Sequence, residues 1–335
     1  MDKKRVRIAD IAEELGVSTA TVSNVIHGKT KKISDETVKR VQELLEKRQY
    51  IPSMAGILLA QNDSRIIGIV VNNHEKYENH ALEDAFIASS LNALSLELNR
   101  SGYFMMVKVT ADWNEIPRFA SMWNMDGLVV MGFCEQDYQK LRESMHIPFV
   151  VYDGYFTKAE SICNLIIDNY DGGRQVGAYL RDMGHRQVLC IADNFSCMDR
   201  ERIEGCQFGL GESRIDFMQI PMIQKERRQF YQEKASCMLR HSAIFAASDY
   251  YAAELIYFLA GAGIHVPGDI SVVGFDDIPL CGHMYPPLTS VKQDVMLRAR
   301  QAVRVLNQLK AGICESTVIK MPVSLVKRES VKQLV

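Results

Sequence analysis

The sequence predicts a protein in two parts, an all-α N-terminal domain followed by a larger α/β body of two lobes. In the first 60 residues, apolar side chains recur at helical spacing and no strand pattern occurs. From residue 66 onward, short apolar strands alternate with amphipathic helical stretches, which is typical of parallel sheets flanked by helices on both faces. This alternation runs through two similar halves, so we expect two lobes with a cleft between them.

The composition is that of an ordinary globular protein. Of 335 residues, 47% are hydrophobic and 24% are charged, and the length suffices for two or three domains. The sequence holds no apolar run of about 18 residues that would span a membrane, and its charged N-terminus is unlike a secretory leader. We therefore expect a cytoplasmic protein without membrane contact.

The formal net charge of the chain is −2, but the two parts differ in the sign of their charge. The first 60 residues hold eleven Lys and Arg against eight Asp and Glu, whereas the remainder is acidic. A basic head on an acidic body suggests that the head binds a polyanion.

The eight cysteines are spread along the chain without a C-x-x-C pair. In a reducing cytoplasm, cysteines so placed are expected to be small buried apolar side chains. Because the ligand spacing of a zinc site is missing, we expect no metal and no other cofactor. The residues are Cys134, Cys163, Cys190, Cys197, Cys206, Cys237, Cys281 and Cys314.

The head contains a predicted helix-turn-helix. Apolar residues at helical spacing predict a first helix over Ile8–Leu15, and Gly16 ends it because glycine takes the left-handed conformation at low cost. Ser18 is a good N-cap for a second helix, which Gly28 closes. A third helix is predicted after Ser34, and the three helices bury one small core.

The outer face of the second helix carries short and mostly polar side chains. Short side chains let a helix lie close in the major groove, where Thr and Asn contact base edges. Hydroxyls and a helix N-terminus suit phosphates. The alternative is a helical hairpin that only packs on the next domain, but the turn, the caps and the basic flank favour DNA.

The segment from residue 8 to residue 52 resembles the head of the lactose/galactose repressor family. It fits the pattern V-A-x-x-A-G-V-S-x-x-T-V-S-x-V-L-N-G followed by V-S-x-x-T and Y-x-P, and the resemblance extends along essentially the whole chain. It implies a DNA-binding repressor with a periplasmic-binding-protein-like sensor, in which Thr19, Ala20 and Asn24 read bases. Asn24 stands where the family usually has Arg, so we expect an altered operator.

The predicted DNA contacts lie in the head and in a hinge after it. The resemblance implies a hinge helix that folds when two copies pair over the minor groove, with Leu59 wedged between base steps. The alternative for this segment is a buried core helix. The full set of predicted contacts is Arg7, Ser18, Thr19, Ala20, Thr21, Ser23, Asn24, His27, Tyr50, Ser53 and Leu59.

The predicted boundaries follow the resemblance and the strand pattern. The first strands lie between residues 66 and 152, and the second set begins with a strand near Cys163–Ile167. A helix around Val295–Leu309 is expected to return to the first lobe. The predicted divisions are a head at 1–52, a hinge at 53–65, lobe one at 66–152 with about 291–321, and lobe two at 153–290 with about 322–335.

Polar and aromatic groups follow several predicted strands, where ligands gather in open α/β sheets. Carboxylates and guanidinium groups bond to adjacent hydroxyls, and aromatic faces stack on sugar C–H surfaces. Any single Asp here also suits a helix cap, but two at neighbouring strand ends favour a ligand. The resemblance implies that Asp276 and Arg202 hold the effector with Asp249 near it. The predicted contacts are Asn72, Phe86, Arg202, Asp249, Tyr250 and Asp276.

The function predicted from these features is repression of transcription under the control of a small molecule, most simply a sugar. An enzyme is the first alternative, but the nucleophile-elbow, P-loop and zinc-protease motifs are missing. A transport-type sugar-binding protein would share the body but lack the head. A nucleobase or phosphoprotein corepressor stays open as the effector. We expect a homodimer on double-stranded DNA with a pseudo-palindromic operator.

The hinge gives the first testable prediction. Gly56 stands where the family usually has Ala, and Ile57 where a polar or basic residue is common. Glycine lowers helix propensity by about 1 kcal/mol relative to Ala, so Gly56→Ala should order the hinge more readily and tighten operator binding. An operator titration of the two proteins checks this, and unchanged or weaker binding by the variant contradicts it.

Overall fold

The computed structural model describes residues 6–51, 64–133, 135–156, 162–314 and 316–334. The chain divides into two compact units, Met1–Ser64 and Arg65–Val335. The hinge residues Ser53, Gly56, Ile57 and Leu59, about which the sequence made predictions, lie outside the described residues. No helix in the described ranges is both long and apolar enough to cross a membrane.

The first unit is the predicted three-helix head. Its helices are α1 (Ile8–Leu15), α2 (Thr19–Ile26) and α3 (Asp35–Lys47). Gly16 adopts φ 70° after α1, and the Ser18 hydroxyl accepts a hydrogen bond from the Thr21 amide at 3.1 Å, so both predicted helix boundaries are confirmed. The core is formed by Ile11, Ala12, Val22, Val25, Val41 and Leu44.

The second unit contains twelve strands in two sheets, with helices between the strands. The strands are β1 (Ile66–Asn72), β2 (Phe104–Thr110), β3 (Gly127–Met131), β4 (Phe149–Tyr152), β5 (Cys163–Ile167), β6 (Gln187–Ala192), β7 (Arg214–Gln219), β8 (Ala243–Ala246), β9 (Ser271–Asp276), β10 (Thr289–Gln293), β11 (Thr317–Met321) and β12 (Val323–Val326). The helices are α4 (Ala85–Arg100), α5 (Glu115–Met122), α6 (Glu135–Ser144), α7 (Asn169–Asp182), α8 (Cys197–Leu210), α9 (Gln224–Met238), α10 (Asp249–Gly261) and α11 (Val295–Lys310).

Each sheet has six strands and forms one lobe. The first sheet has the order β11-β5-β4-β3-β1-β2, and all of its strands run parallel. The second has the order β12-β10-β9-β8-β6-β7, in which only β12 runs antiparallel to its neighbour. The predicted α/β architecture of two parallel-sheet lobes is confirmed.

One strand lies in a different lobe from the one we expected. The sequence analysis put Cys163–Ile167 in the second set, but β5 pairs in parallel with β4 and belongs to the first sheet. Parallel neighbouring strands are usually joined by a helix, but the link between β4 and β5 contains no described helix. The sequence pattern therefore gave no sign that β5 follows β4 in the same sheet. The first lobe therefore continues to Ile167, beyond the predicted boundary at residue 152.

Helix α11 returns to the first lobe, as expected. The Tyr103 hydroxyl donates to Asn307 Oδ1 at 2.9 Å, and Lys310 Nζ lies 2.7 Å from Asp126 Oδ2. The chain thus passes between the lobes three times, after β5, after β10 and between β11 and β12. All three crossings leave from the carboxyl ends of strands, so these ends of both sheets face the region between the lobes, which we call the cleft.

Helices α7 and α8 pack so closely that only glycine fits at the contact. A methyl group built on Gly173 would overlap the carbonyl of Arg202, and one built on Gly205 would overlap the carbonyl of Tyr170. Gly177 and Gly209 repeat the same pattern one turn further along. The two helices therefore approach each other backbone to backbone.

This contact gives a prediction about stability. Gly205→Ala should lower the free energy of unfolding by about 2 kcal/mol, because the added methyl forces the two backbones apart. Gly261→Ala is the control, since Gly261 is also helical, as the last residue of α10, but a methyl group built on it would meet no atom within 4 Å. Urea unfolding of the two variants compares them, and equal stabilities would contradict the close packing.

Candidate functional site

Helix α2 presents a row of short side chains on the surface of the head. Thr19, Ala20 and Asn24 are exposed, whereas Thr21 and Ser23 are half-buried. The helix packs on the core of the head through Val22, which is 0% exposed. The predicted base-reading residues therefore share one accessible face on a rigidly packed helix.

The other predicted head residues lie around this helix. Arg7 and Ser18 are exposed at the N-caps of α1 and α2, and His27 is half-buried at the end of α2. Tyr50 is half-buried after α3. An ion pair between Arg48 Nη2 and Glu14 Oε2 at 2.6 Å joins α3 to α1. Ser18 and Thr19 at the N-terminus of α2 are exposed, and exposed hydroxyl groups at a helix N-terminus suit an anion.

Arg202 is the centre of the cleft in the second unit. Its Nε donates to Asn169 Oδ1 at 2.9 Å and its Nη1 donates to the Ala247 carbonyl at 2.5 Å. Its guanidinium carbon lies 3.7 Å from the centroid of the Phe275 ring. Nη2 lies 3.7 Å from Asp276 Oδ1. Two residues that sequence reasoning predicted from separate segments, Arg202 and Asp276, are therefore adjacent.

Asp276 occupies a strained position at the end of β9. Its φ is 118°, a conformation rare for residues with a side chain. Its Oδ1 accepts a hydrogen bond from Gln293 Nε2 at 2.6 Å. Burial raises the pKa of Asp276 well above its ordinary value, and Arg202 acts in the opposite direction. A pair of a buried Arg and a largely buried Asp at a strand end is an arrangement expected of a ligand-binding group.

Asp249 has a different role from the one predicted. It is 0% exposed, and its carboxylate accepts hydrogen bonds from Ser290 Oγ at 2.6 Å and from the Ile278 amide at 2.9 Å. Cys281 Sγ donates to it at 3.1 Å. Because these protein groups enclose it, Asp249 joins β10 to the turn after β9 and does not face a ligand.

The two tyrosines after Asp249 differ in their surroundings. Tyr250 is exposed and its ring lies beside Arg227 of α9, on the side of α10 that packs against α9. Tyr251 is buried, and burial together with the neighbouring Asp193 raises the pKa of its hydroxyl. Asp193 directly follows β6 at the cleft. The aromatic group near the cleft carboxylates is therefore Tyr251, and the prediction chose its neighbour.

The predicted first-lobe residues lie at the ends of their elements. Asn72 ends β1, and its Nδ2 donates to the Gly132 carbonyl at 2.7 Å. Phe86 is half-buried in the first turn of α4 and packs against the core. Both residues stand at the cleft edge of the first sheet, where Asn72 bridges β1 to the end of β3.

The long segment between β1 and α4 crosses to the second lobe. Glu78 Oε2 accepts a hydrogen bond from the amide of Gln224, the first residue of α9, at 3.1 Å. Burial lowers the pKa of Lys76 in this segment, but Tyr77 and the carboxylates of Asp193, Asp199 and Asp84 together raise that pKa above its ordinary value. This segment brings a cation close to the acidic groups of the second lobe.

The histidines of this segment, His74 and His80, both make local contacts. His80 Nδ1 lies 2.9 Å from Glu83 Oε1 on the surface. Within the described ranges, no group of three or more His, Cys, Asp or Glu side chains is placed to hold a metal ion. The seven described cysteines form no disulfide.

Sequence reasoning missed several polar groups that line the cleft. The missed residues are Tyr152, Asn169, Asp193, Asp199, Gln293 and Arg298. Tyr152 and Gln293 are the last residues of β4 and β10, and Asp193 directly follows β6. For these three residues the position at a strand end was the available signal, but strand β10 itself was not predicted.

Asp199 gives a prediction about pH. Burial raises the pKa of Asp199 to about 6, with Arg202 opposing and Asp193 adding to the shift. An acid whose pKa is raised on folding stabilises the fold below its unfolded pKa, and this contribution is lost as the pH rises to about 6. Asp199→Asn should therefore gain stability over the wild type at about pH 7.5 and show no gain at about pH 4. Urea unfolding at both pH values checks this, and an equal gain at both contradicts it.

Comparisons with known proteins agree with this architecture. The model for bacterial regulatory proteins of the lacI family matches residues 7–53, and the model for a periplasmic binding protein-like domain matches residues 178–331. The chain is 30% identical to the HTH-type transcriptional repressor PurR of Vibrio atlanticus (strain LGP32), over 98% of this chain and 99% of that protein. It is 29% identical to the protein of the same name from Vibrio cholerae serotype O1 (strain M66-2), over 98% of each chain.

Two solved structures are similar over nearly the whole chain. The lac repressor dimer bound to operator and the anti-inducer ONPF has a TM-score of 0.84 at 24% identity, covering 98% of this chain and 100% of that one. The complex of the transcriptional regulator CelR with cellobiose has a TM-score of 0.69 at 24% identity, covering 97% and 100%. The chain belongs to the LacI family of DNA-binding transcriptional repressors, with a helix-turn-helix head and a ligand-binding sensor domain.

Proposed function

We propose that this repressor binds a pseudo-palindromic operator as a homodimer and that a sugar in the sensor cleft controls its affinity for DNA. The observation that carries the proposal is the buried Arg202–Asp276 pair, which stands at the strand ends of the second sheet with Gln293 and Asn169 bonded to it. The protein acts in the cytoplasm, where the operator is.

The DNA-reading part of the proposal rests on α2. Thr19, Ala20 and Asn24 form an exposed row of short side chains, which lets the helix lie close to base edges. The exposed Arg7 and the capping Ser18 flank this row and suit phosphate contacts. In a dimer, two such helices would read two half-sites, which sets the spacing and symmetry of the operator.

A sugar is favoured as effector by the chemistry of the cleft. Asp276, Arg202 and Gln293 offer acceptors and donors side by side, which match adjacent hydroxyl groups. Among similar sensor folds, one solved structure holds cellobiose and another holds ribose. One face of the Phe275 ring is covered by the Arg202 guanidinium, so that face is not available for stacking on a planar nucleobase.

Control follows from different affinities of the effector for two states of the sensor. A ligand that bonds to groups on both lobes favours one relative arrangement of the lobes over another. In a dimer, that preference changes how the two hinges pair and therefore changes operator affinity by the same coupling free energy. The groups on both sides of the cleft are placed by the three chain crossings between the lobes.

The DNA-reading role of α2 gives a prediction. An operator is first selected from random duplexes with the full chain. Asn24→Ala should then weaken binding to that operator by about 10-fold, because a lost base contact costs roughly 1–3 kcal/mol per base pair. Binding to unrelated DNA, which depends on phosphate contacts, should stay unchanged.

The matched control is Gln42→Ala, an exposed polar residue of α3 that is not among the predicted DNA contacts. This variant should bind both DNAs as the wild type does. If Asn24→Ala loses the same factor on operator and on unrelated DNA, or loses nothing on either, α2 does not read the operator through Asn24.

A further inference from the structure

Residues 73–84, which we call the strap, extend from the first lobe to the second. The strap follows β1 and precedes α4, and it contains two short 3-10 helices. Both of its ends are fixed to the first lobe. The Asn73 amide donates to the Thr110 carbonyl of β2 at 3.2 Å, and the Asp84 carboxylate accepts a hydrogen bond from the Ile87 amide of α4 at 2.9 Å. The strap is therefore an ordered extension of the first lobe.

The middle of the strap has an unusual backbone conformation. Glu78 has a φ of 47° and Asn79 has a φ of 70°, so two consecutive residues with side chains lie in the left-handed region. Such a conformation costs free energy and persists where the surrounding contacts determine it. One of these contacts is the hydrogen bond from Asn73 Nδ2 to Asn79 Oδ1 at 2.9 Å. The strained turn is thus held in place by the base of the strap.

Glu78 caps a helix of the second lobe. Helix α9 begins after Ile223, whose side chain makes no capping hydrogen bond. The Gln224 amide instead donates to Glu78 Oε2 at 3.1 Å, although the two residues are 146 positions apart. A carboxylate at a helix N-terminus satisfies a free amide and interacts favourably with the positive end of the helix dipole. This hydrogen bond therefore stabilises the arrangement of the lobes in which the strap reaches α9.

Two further interactions act between the same region and the second lobe. Lys76 of the strap lies within the field of the Asp193 and Asp199 carboxylates, both of which belong to the second lobe. Opposite charges attract more strongly where water is partly excluded. Ala85, which directly follows the strap, packs against the apolar core of the second lobe. A hydrogen bond, an electrostatic attraction and an apolar contact thus favour the same arrangement.

We propose that the strap is a latch that holds the two lobes of the unliganded sensor in one arrangement, with the hydrogen bond between Glu78 and α9 as its main contact. The latch acts without DNA and without an effector. An effector that favours another arrangement of the lobes has to break this contact, so the latch adds to the free energy that effector binding must supply. Loss of the latch should therefore let the lobes move apart in the unliganded protein.

The contact itself is tested by hydrogen exchange in the unliganded full chain. Glu78→Ala should speed exchange of the Gln224 amide by about 10-fold, because this amide loses a charge-assisted hydrogen bond. Glu78→Gln keeps an acceptor oxygen but loses the charge, so its exchange rate should lie between the two. Glu75→Ala is the matched control, since it removes the carboxylate of another exposed residue of the strap. Its exchange at Gln224 should equal that of the wild type.

The arrangement of the lobes is tested by small-angle X-ray scattering of the same unliganded proteins, compared at the same oligomeric state. Glu78→Ala should have a larger radius of gyration than the wild type. The double variant Lys76→Met/Glu78→Ala should have a larger one still, because it also loses the attraction to the second-lobe carboxylates. Glu75→Ala should match the wild type. The head and the hinge are identical in all of these proteins, so the differences report on the sensor.

Faster exchange together with a larger radius of gyration in Glu78→Ala, and neither change in Glu75→Ala, supports the latch. If exchange at Gln224 rises but the radius stays that of the wild type, Glu78 is only a helix cap and the latch is wrong. Unchanged exchange, or an equal increase in radius in Glu75→Ala, overturns it as well. Should Glu78→Ala fail to fold, Glu78→Gln provides the same comparison with a side chain of the same size. None of these measurements uses DNA or an effector, so a negative result leaves the proposed function untouched.

Discussion

The contacts of the Arg202 guanidinium determine the geometry of the sensor cleft. One buried cation bonds to Asn169 at the start of α7 and to the Ala247 carbonyl after β8, and it pairs with Asp276 at the end of β9. Its flat face also covers the Phe275 ring. Removing it would leave a buried carboxylate unpaired, which costs more than the ion pair contributes when intact. The second-lobe groups that contact Arg202 therefore depend on it, and on one another, for their positions.

The position of Arg202 depends in turn on the glycines between α7 and α8. The Arg202 carbonyl lies against Gly173, at a distance that no side chain would allow. Because the helices meet backbone to backbone, the side chain of Arg202 reaches Asn169 at the N-terminus of the neighbouring helix. The close packing of two helix backbones thus sets the distance between the side chains of Arg202 and Asn169.

The sequence predicted the head and the fold class well, because caps, turns and apolar periodicity are local signals. Gly16 and Ser18 mark helix boundaries within a few residues of the helices that they bound. Sheet membership is a long-range property, so Cys163–Ile167 was put in the wrong lobe. The same limit explains Asp249, whose position at a strand end resembles that of Asp276. Its enclosure by Ser290 and Cys281 depends on segments about thirty to forty residues away, and Arg298 was missed because a charged residue in an amphipathic helix is normally exposed.

The central claim is that the sensor cleft and the DNA-reading head are coupled. The most direct test is the affinity of the full chain for its selected operator, measured across a titration with the neutral sugar that stabilises it best. The account predicts a change of about 5-fold or more in operator affinity, which saturates at the sugar concentration that saturates the cleft. Equal operator affinity without sugar and at saturating sugar would contradict it.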